Sequence, residues 1–236
     1  MSKLYFFRHA QASFGKDDYD SLSSKGESQS LQLGKYLVEK KILFDRVFVG
    51  PLKRQIHTFE LVNSMYKQHG LPMPEPVFLD GLDEHQGPEA LQIMLPVLQE
   101  KSPYKERIAA IKADPKRSKA NRLLMFQHFM DAWVEGEFEV EGVVAWKDFR
   151  ENTRKGLKTI LQTTDSGETN AAFTSGGTIS AITAEALNIE GQKSVAALNF
   201  SIRNTSYTSF LYSKGKFNLL GLNEIPHLGE ELITFI

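Results

Sequence analysis

The sequence predicts an α/β fold: a three-layer α/β/α sandwich with a mostly parallel central sheet and a helical insertion over its carboxyl edge. Three observations predict it. Leu4-Tyr5-Phe6-Phe7 is a continuous apolar run at the start of the chain, the pattern of a strand covered on both faces. Further short apolar runs alternate with stretches of helical periodicity, which is the sequence mark of strand-helix units around a parallel sheet. Each run also stops at polar groups, placing them at the carboxyl ends of strands, where such sheets bind ligands.

The elements follow in order. After the first strand, Ala10 to Leu22 carries Gly15 and the acidic run Lys16-Asp17-Asp18-Tyr19-Asp20 and reads as a loop. Ser24-Lys25-Gly26-Glu27 has capping-box spacing, and Leu31, Gly34, Leu37 and Val38 recur at helical intervals, predicting a helix from about Lys25 to Lys41. Arg46 to Gly50 is a second strand, and Pro51 stands where a helix start tolerates proline, with that helix reaching about Gln68. Val77-Phe78-Leu79 is a third strand, followed by Leu82-Asp83-Glu84-His85-Gln86-Gly87.

From Pro88 to about Asp165 the character changes to Met- and aromatic-rich segments without strand pattern. Leu123, Phe126, Met130 and Val134 follow helical spacing, and a long helix from Ala145 to Thr164 returns to the sheet. This is the insertion, about 88–165, of a single domain spanning 1–236; its Met and aromatic stripe reads as core. Asn170 to Thr174 is a fourth strand, Ser175-Gly176-Gly177 leads into a helix from Thr178 to Leu187, and Ser206–Tyr212 with Lys216–Leu222 form a hairpin around Lys214-Gly215.

Composition narrows the function. The chain has 236 residues, 41% hydrophobic and 24% charged, with a net charge of -1. That balance supplies no long-range field for nucleic acid or an anionic membrane, so any attraction for an anion must be local. There is no cysteine, hence no disulfide framework and no thiolate chemistry. No stretch approaches a membrane span, and the apolar start is cut short by Arg8 before it could act as a signal, so the expected location is cytoplasmic. A homodimer stays open. His128 and His227 have no partners at metal-ligand spacing.

Candidate chemistry sits at four strand ends. Arg8 offers a planar fork to phosphate oxygens and neutral His9 is a nucleophile at physiological pH, although the pair alone reads equally well as a strand closing in solvent. Arg54 falls in the first turn of its helix and can reach across the sheet edge towards His9; the plain alternative is a solvated arginine. Asp83-Glu84 reads as an acid or as a turn cap. Gly176-Gly177 at a strand-to-helix turn lets backbone N–H groups approach an oxyanion.

In this order, Arg8-His9-Ala10, Leu22-Ser23-Ser24-Lys25-Gly26 with Gln29, Gly50-Pro51-Leu52-Lys53-Arg54 with Thr58, Leu82-Asp83-Glu84, and Thr174-Ser175-Gly176-Gly177-Thr178 resemble the histidine phosphatase superfamily, also called phosphoglycerate-mutase-like. The resemblance implies that His9 attacks phosphorus and becomes phosphohistidine, that Arg8 and Arg54 clamp the phosphoryl oxygens, and that Glu84 protonates the leaving oxygen. It implies a small phosphorylated substrate and neither metal nor cofactor. The attacking Nε2 needs its Nδ1–H held by an acceptor that the sequence does not identify. Three departures stand out: Ala10 replaces the family's Gly, Glu84 is followed by Gly87 in shorter spacing, and Ser175 stands where the family has its second His. The expected function is a phosphomonoester hydrolase, slowed because Ser175 and Gly176 meet the phosphate without a second imidazolium. The alternative is a weakly active or inactive relative that binds phosphorylated ligands as a regulator. A phosphoglycerate-type mutase fits less well, and a serine hydrolase using Ser175 lacks the first glycine of its motif.

Overall fold

The computed structural model describes residues 1–13, 20–213 and 215–235. Six strands form one sheet in the order β3-β2-β4-β1-β5-β6. The strands are β1 (Ser2–Arg8), β2 (Arg46–Val49), β3 (Pro76–Phe78), β4 (Thr169–Thr174), β5 (Tyr207–Ser213) and β6 (Lys216–Glu224). The first four run parallel to their neighbours, and β5 and β6 join antiparallel. β1 lies in the centre between β4 and β5, with Arg8 opposite Thr174 and Phe7 opposite Tyr207.

Because side chains alternate across a strand, β1 feeds two cores at once. Leu4 and Phe6 pack with Phe48, Ala172, Ile179 and Phe210 on one face. Phe7 packs on the other with Leu33, Leu37, Phe59, Val62 and Phe173. That second face is covered by α1 (Ser24–Glu39) and α2 (Lys53–Gln68), the first by α6 (Trp146–Thr163) and α7 (Gly176–Leu187). These are the three layers. Phe7 and Phe173 stack at 5.0 Å, which locks β1 to β4 next to their carboxyl ends.

The insertion is helical: α3 (Gly87–Leu98), α4 (Tyr104–Ala113) and α5 (Ser118–Val134) share a third core with α6, α7 and α8 (Gln192–Asn199). Its Met and aromatic residues are core, as expected, but the stripe is shifted along α5. Met125, Phe129, Met130, Trp133 and Val134 are buried, whereas Leu123 is 38% exposed. Phe126 turns towards a cavity instead. α6 ties the two regions together, with Trp146 and Phe149 in the insertion core and Leu157 and Ile160 beneath the sheet.

Several boundaries differ from expectation for identifiable reasons. The cap of α1 is Ser23, one residue earlier than the expected box: its hydroxyl accepts the Gly26 N–H at 3.0 Å. Gly26 lies so close to Gln11 that a Cβ would fall 2.2 Å from the Gln11 carbonyl oxygen, and this contact sets where the helix begins. Pro51 lies outside α2, whose cap is Leu52. α8 has no counterpart in the sequence reading. Of the expected loop after Ala10, residues 14–19 lie outside the described residues, as does Lys214 of the hairpin turn, where Gly215 takes φ +81°. Among the described residues, no helix is long and apolar enough to cross a membrane.

One close approach fixes the segment after β3. Gly81, in the 3-10 turn Asp80–Leu82, sits on α6 so tightly that a Cβ would lie 2.6 Å from the Gly156 Cα and 2.8 Å from the Asn152 carbonyl oxygen. The following backbone is held from three more elements. Leu82 O accepts from Gln55 Nε2 of α2 at 3.0 Å and Thr174 Oγ1 of β4 at 2.6 Å, and Thr178 Oγ1 of α7 donates to Asp83 O. Gly156→Ala should therefore destabilise the protein by about 1–3 kcal/mol from overpacking. This is expected although alanine is the better helix former by up to about 1 kcal/mol. Urea unfolding checks it, and equal or higher stability would show that the turn has room to move.

Candidate active site

The carboxyl ends of β1, β2 and β4 converge with the Leu82–Glu84 turn. His9 follows β1 directly and is only 6% exposed. Its backbone is held on every side. His9 N–H donates to Thr174 O at 2.8 Å, and Asn204 Nδ2 donates to His9 O at 3.1 Å. The next N–H, of Ala10, donates to Thr58 Oγ1 at 3.0 Å. Ala10 is fully buried and is not among the positive-φ residues, so the turn does not require the glycine usual in relatives.

The Ala10 carbonyl is the acceptor that the sequence left unidentified for the His9 ring. The ring Nδ1 lies 2.8 Å from the Ala10 carbonyl oxygen. A carbonyl only accepts, so Nδ1 carries the proton and Nε2 the lone pair. Arg54 Nε–H donates to that Nε2 at 3.2 Å, consistent with the same tautomer. Burial, then the Arg54 and Arg8 guanidinium charges, hold the imidazole well below its ordinary pKa, against a smaller opposing effect of the Ala10 carbonyl. The ring is a neutral nucleophile by construction.

The clamping arginines are themselves anchored. Arg8 Nη1 donates to the carbonyls of Ile202 and, at 2.6 Å, Phe235. Arg54 Nη1 donates to Asp20 Oδ1 at 2.6 Å, and Asp20 Oδ2 accepts the Lys53 N–H at 2.8 Å. Asp20 thus caps α2 and holds its arginine in one stroke, a role that reading the acidic run as a loop did not reveal. Its only sequence signal is an aspartate shortly before Leu22-Ser23.

Glu84 lies against the start of α7. Its Oε2 accepts the Gly177 N–H at 3.3 Å and its Oε1 the His85 N–H at 3.0 Å. A larger residue here would push site side chains aside: a Cβ on Gly177 would fall 2.2 Å from Glu84 Oε1, and one on Gly176 would fall 2.4 Å from Asn199 Oδ1. Burial pushes the neighbouring Asp83 carboxyl up, partly offset by the Glu84 N–H that it accepts at 2.7 Å. Arg8, His9, Arg54, Glu84, His85 and Asn199 line a cavity of about 110 Å³. A larger cavity, about 380 Å³, lies among Asp45, Arg46 and Val77, at the start of β2 and away from these groups. Arg46 there is paired with Glu168 and Asp165.

Ser175 is placed differently from the other expected residues. It is fully buried, caps α7 with its backbone, and its Oγ accepts from Gln55 Nε2 at 2.8 Å. Neither it nor Gly176 is among the residues lining the cavity, although a Cβ on Gly176 would meet Asn199 and Arg8. Of the two histidines that follow Arg54 and Glu84 most closely in the chain, His57 does not line the cavity and His85 does. His85 Nδ1 lies 3.1 Å from the Gly87 N–H, and its Nε2 lies 2.9 Å from Asn199 Nδ2 and 3.6 Å from Glu84 Oε1. Trp146 and Phe149 pack against that ring at 5.6 and 5.7 Å.

The buried histidines make stability depend on pH. Burial pushes His227 down to about 4, and His9 is lowered as well. Below the unfolded value of about 6.5 the unfolded chain binds protons that the native state refuses, so stability falls on acidification by up to about 1.4 kcal/mol per pH unit per histidine. Urea unfolding between about pH 7 and pH 5 should show this slope, and His227→Gln should reduce it by roughly half. A slope unchanged in the variant would contradict the assignment.

Among curated protein sequences none matches the chain. Solved structures do, each over nearly its whole length. Bacillus stearothermophilus YhfR superposes with a TM-score of 0.67 at 18% identity, covering 96% of this chain and 99% of its own. A phosphoserine phosphatase of Entamoeba histolytica gives 0.65 at 16% identity, with 97% and 100% covered. The α-ribazole phosphatase of Shigella flexneri gives 0.61 at 15%, with 94% and 96% covered. These likenesses show a shared fold. The model of the histidine phosphatase superfamily (branch 1) matches residues 4–122 and 116–225, nearly the whole chain, and the protein belongs to that family.

Proposed function

We propose that the protein is a phosphomonoester hydrolase that works through a phosphohistidine on His9. The observation that carries this reading is the His9 ring, with Nδ1–H committed to the Ala10 carbonyl and its Nε2 lone pair beside Arg54. An incoming phosphoryl group takes the Arg54 N–H onto one of its oxygens, which releases the lone pair to attack phosphorus. Arg8 and Arg54 hold the equatorial oxygens, where charge spreads during transfer. As the P–O ester bond breaks, protonated Glu84 gives its proton to the leaving oxygen. Glu84 then takes a proton from water, whose oxygen attacks phosphorus, and the P–N bond breaks to release phosphate and free His9.

The Ser175 position supports a slow enzyme. A protonated imidazole there would give a charge-assisted bond to the transferring group, whereas Ser175 Oγ accepts from Gln55 and does not line the cavity. Losing one such donor costs on the order of 10² to 10³ in rate. The same observation favours a second reading, a regulator that binds phosphorylated ligands in a small cytoplasmic protein without turning them over.

Incubation with a radiolabelled phosphomonoester and an acid-free quench separates the two. The hydrolase reading expects acid-labile label on the wild-type chain and none on His9→Ala, with turnover lost in that variant. Turnover that survives His9→Ala contradicts the mechanism. Phosphate or vanadate binding without any label on the wild type replaces it with the regulator.

A further inference from the structure

The cavity has two halves of different chemistry. Its floor carries both arginines, His9, Glu84, His85 and Asn199, while its mouth is Pro88, Glu89, Phe126, Phe200 and Phe235. Phe126 of α5 and Phe200, just after α8, stand edge to face at 5.8 Å. Phe235 comes from the far end of the chain and is held in place by several contacts. Gln29 Nε2 donates to Leu232 O at 2.6 Å and to Thr234 Oγ1 at 2.8 Å, and Asn204 N–H donates to Thr234 O at 3.0 Å. The Phe235 carbonyl accepts from Arg8, and its ring lies 5.6 Å from the Arg203 guanidinium. Phe235 is nonetheless 46% exposed and is among the residues lining the cavity.

Resting on the phosphatase reading above, we infer that the substrate is a monophosphate ester of an apolar, ring-bearing alcohol with no second anionic group. Among the described residues that line the cavity, the cations are Arg8 and Arg54, and the one charge at the mouth is Glu89. A single phosphoryl group occupies both arginines. A carboxylate or second phosphate on the alcohol would then lie among phenyl rings and beside Glu89 with no counter-ion among the described lining residues, since Arg203, against the Phe235 ring, does not line the cavity, and that is costly in a partly dry site. A ring instead finds aromatic edges and faces at contact distance. The volume of about 110 Å³ is below that of pockets enclosing drug-sized ligands, about 300–1,000 Å³. The phosphoryl group and its first neighbours fill the floor, and the remainder of the alcohol rests on the phenylalanines.

Benzyl phosphate and phosphoserine test this, since both release a primary alkoxide and differ mainly in the group at the mouth. The full-length protein should show kcat/KM for benzyl phosphate at least about tenfold higher, the ratio given by one or two aromatic contacts. Phe235→Ala and Phe126→Ala should each lower it about three- to tenfold. Glu89→Lys should raise kcat/KM for phosphoserine and narrow the ratio. Binding of benzylphosphonate and phosphonoacetate reads the same preference without chemistry, and benzylphosphonate should bind more tightly. Equal or better use of phosphoserine, or tighter binding of phosphonoacetate, overturns the inference. The expected binding order without turnover of either ester upholds it and overturns the hydrolase reading. Neither binding nor turnover overturns both.

Discussion

The site depends on one hydrogen bond, from His9 Nδ1–H to the carbonyl of Ala10. It fixes the tautomer, and the tautomer decides which nitrogen can attack. Burial and two guanidinium groups then hold the ring well below its ordinary pKa, so in the proposed mechanism the cations that would stabilise the phosphoryl oxygens also protect the nucleophile from protonation. The Ala10 carbonyl can hold the ring only because its own peptide is immobile. Thr58 of α2 receives the Ala10 N–H and in turn donates to the Arg54 carbonyl at 2.7 Å, linking nucleophile and clamp through one hydroxyl.

The rest of the fold serves to make that geometry stiff. β1 is the central strand, packed on both faces by aromatic rings, and its carboxyl end is pinned by β4 on one side and the Asn204–Ser206 segment on the other. The acid-bearing turn is fixed separately, by the glycine contact with α6 and by bonds from α2, β4 and α7. α6 and α7 belong both to the sheet core and to the insertion core. The aromatic mouth, the Glu84 turn and the His9 floor are therefore carried on shared elements rather than on independent loops.

Much of this was legible in the sequence. A continuous apolar run ending in Arg8-His9 announced a central strand with chemistry at its end, and the same arrangement recurred before Arg54, Glu84 and Gly176. The layering followed from the alternation of elements, whereas the strand order did not. What escaped was contact between residues far apart in the chain. Asp20 reaches Arg54 across a helix, Asn199 meets His85 more than a hundred residues away, and Gln55 takes the hydroxyl of Ser175. None of these has a local pattern. Ser23 and Ser24 are equivalent as caps by composition, and only the packing of Gly26 on Gln11 chooses between them. The reach of Ser175 away from the cavity was likewise set by a partner on another helix.

The central claim concerns the state of one ring, and nitrogen NMR of the protein carrying labelled histidine reads it directly. The account predicts that His9 shows a protonated Nδ1 and an unprotonated Nε2, and stays neutral well below the ordinary histidine value of about 6.5. Assignment by loss of the signal in His9→Ala makes the reading unambiguous. A His9 that titrates near 6.5, or that carries its proton on Nε2, would contradict it.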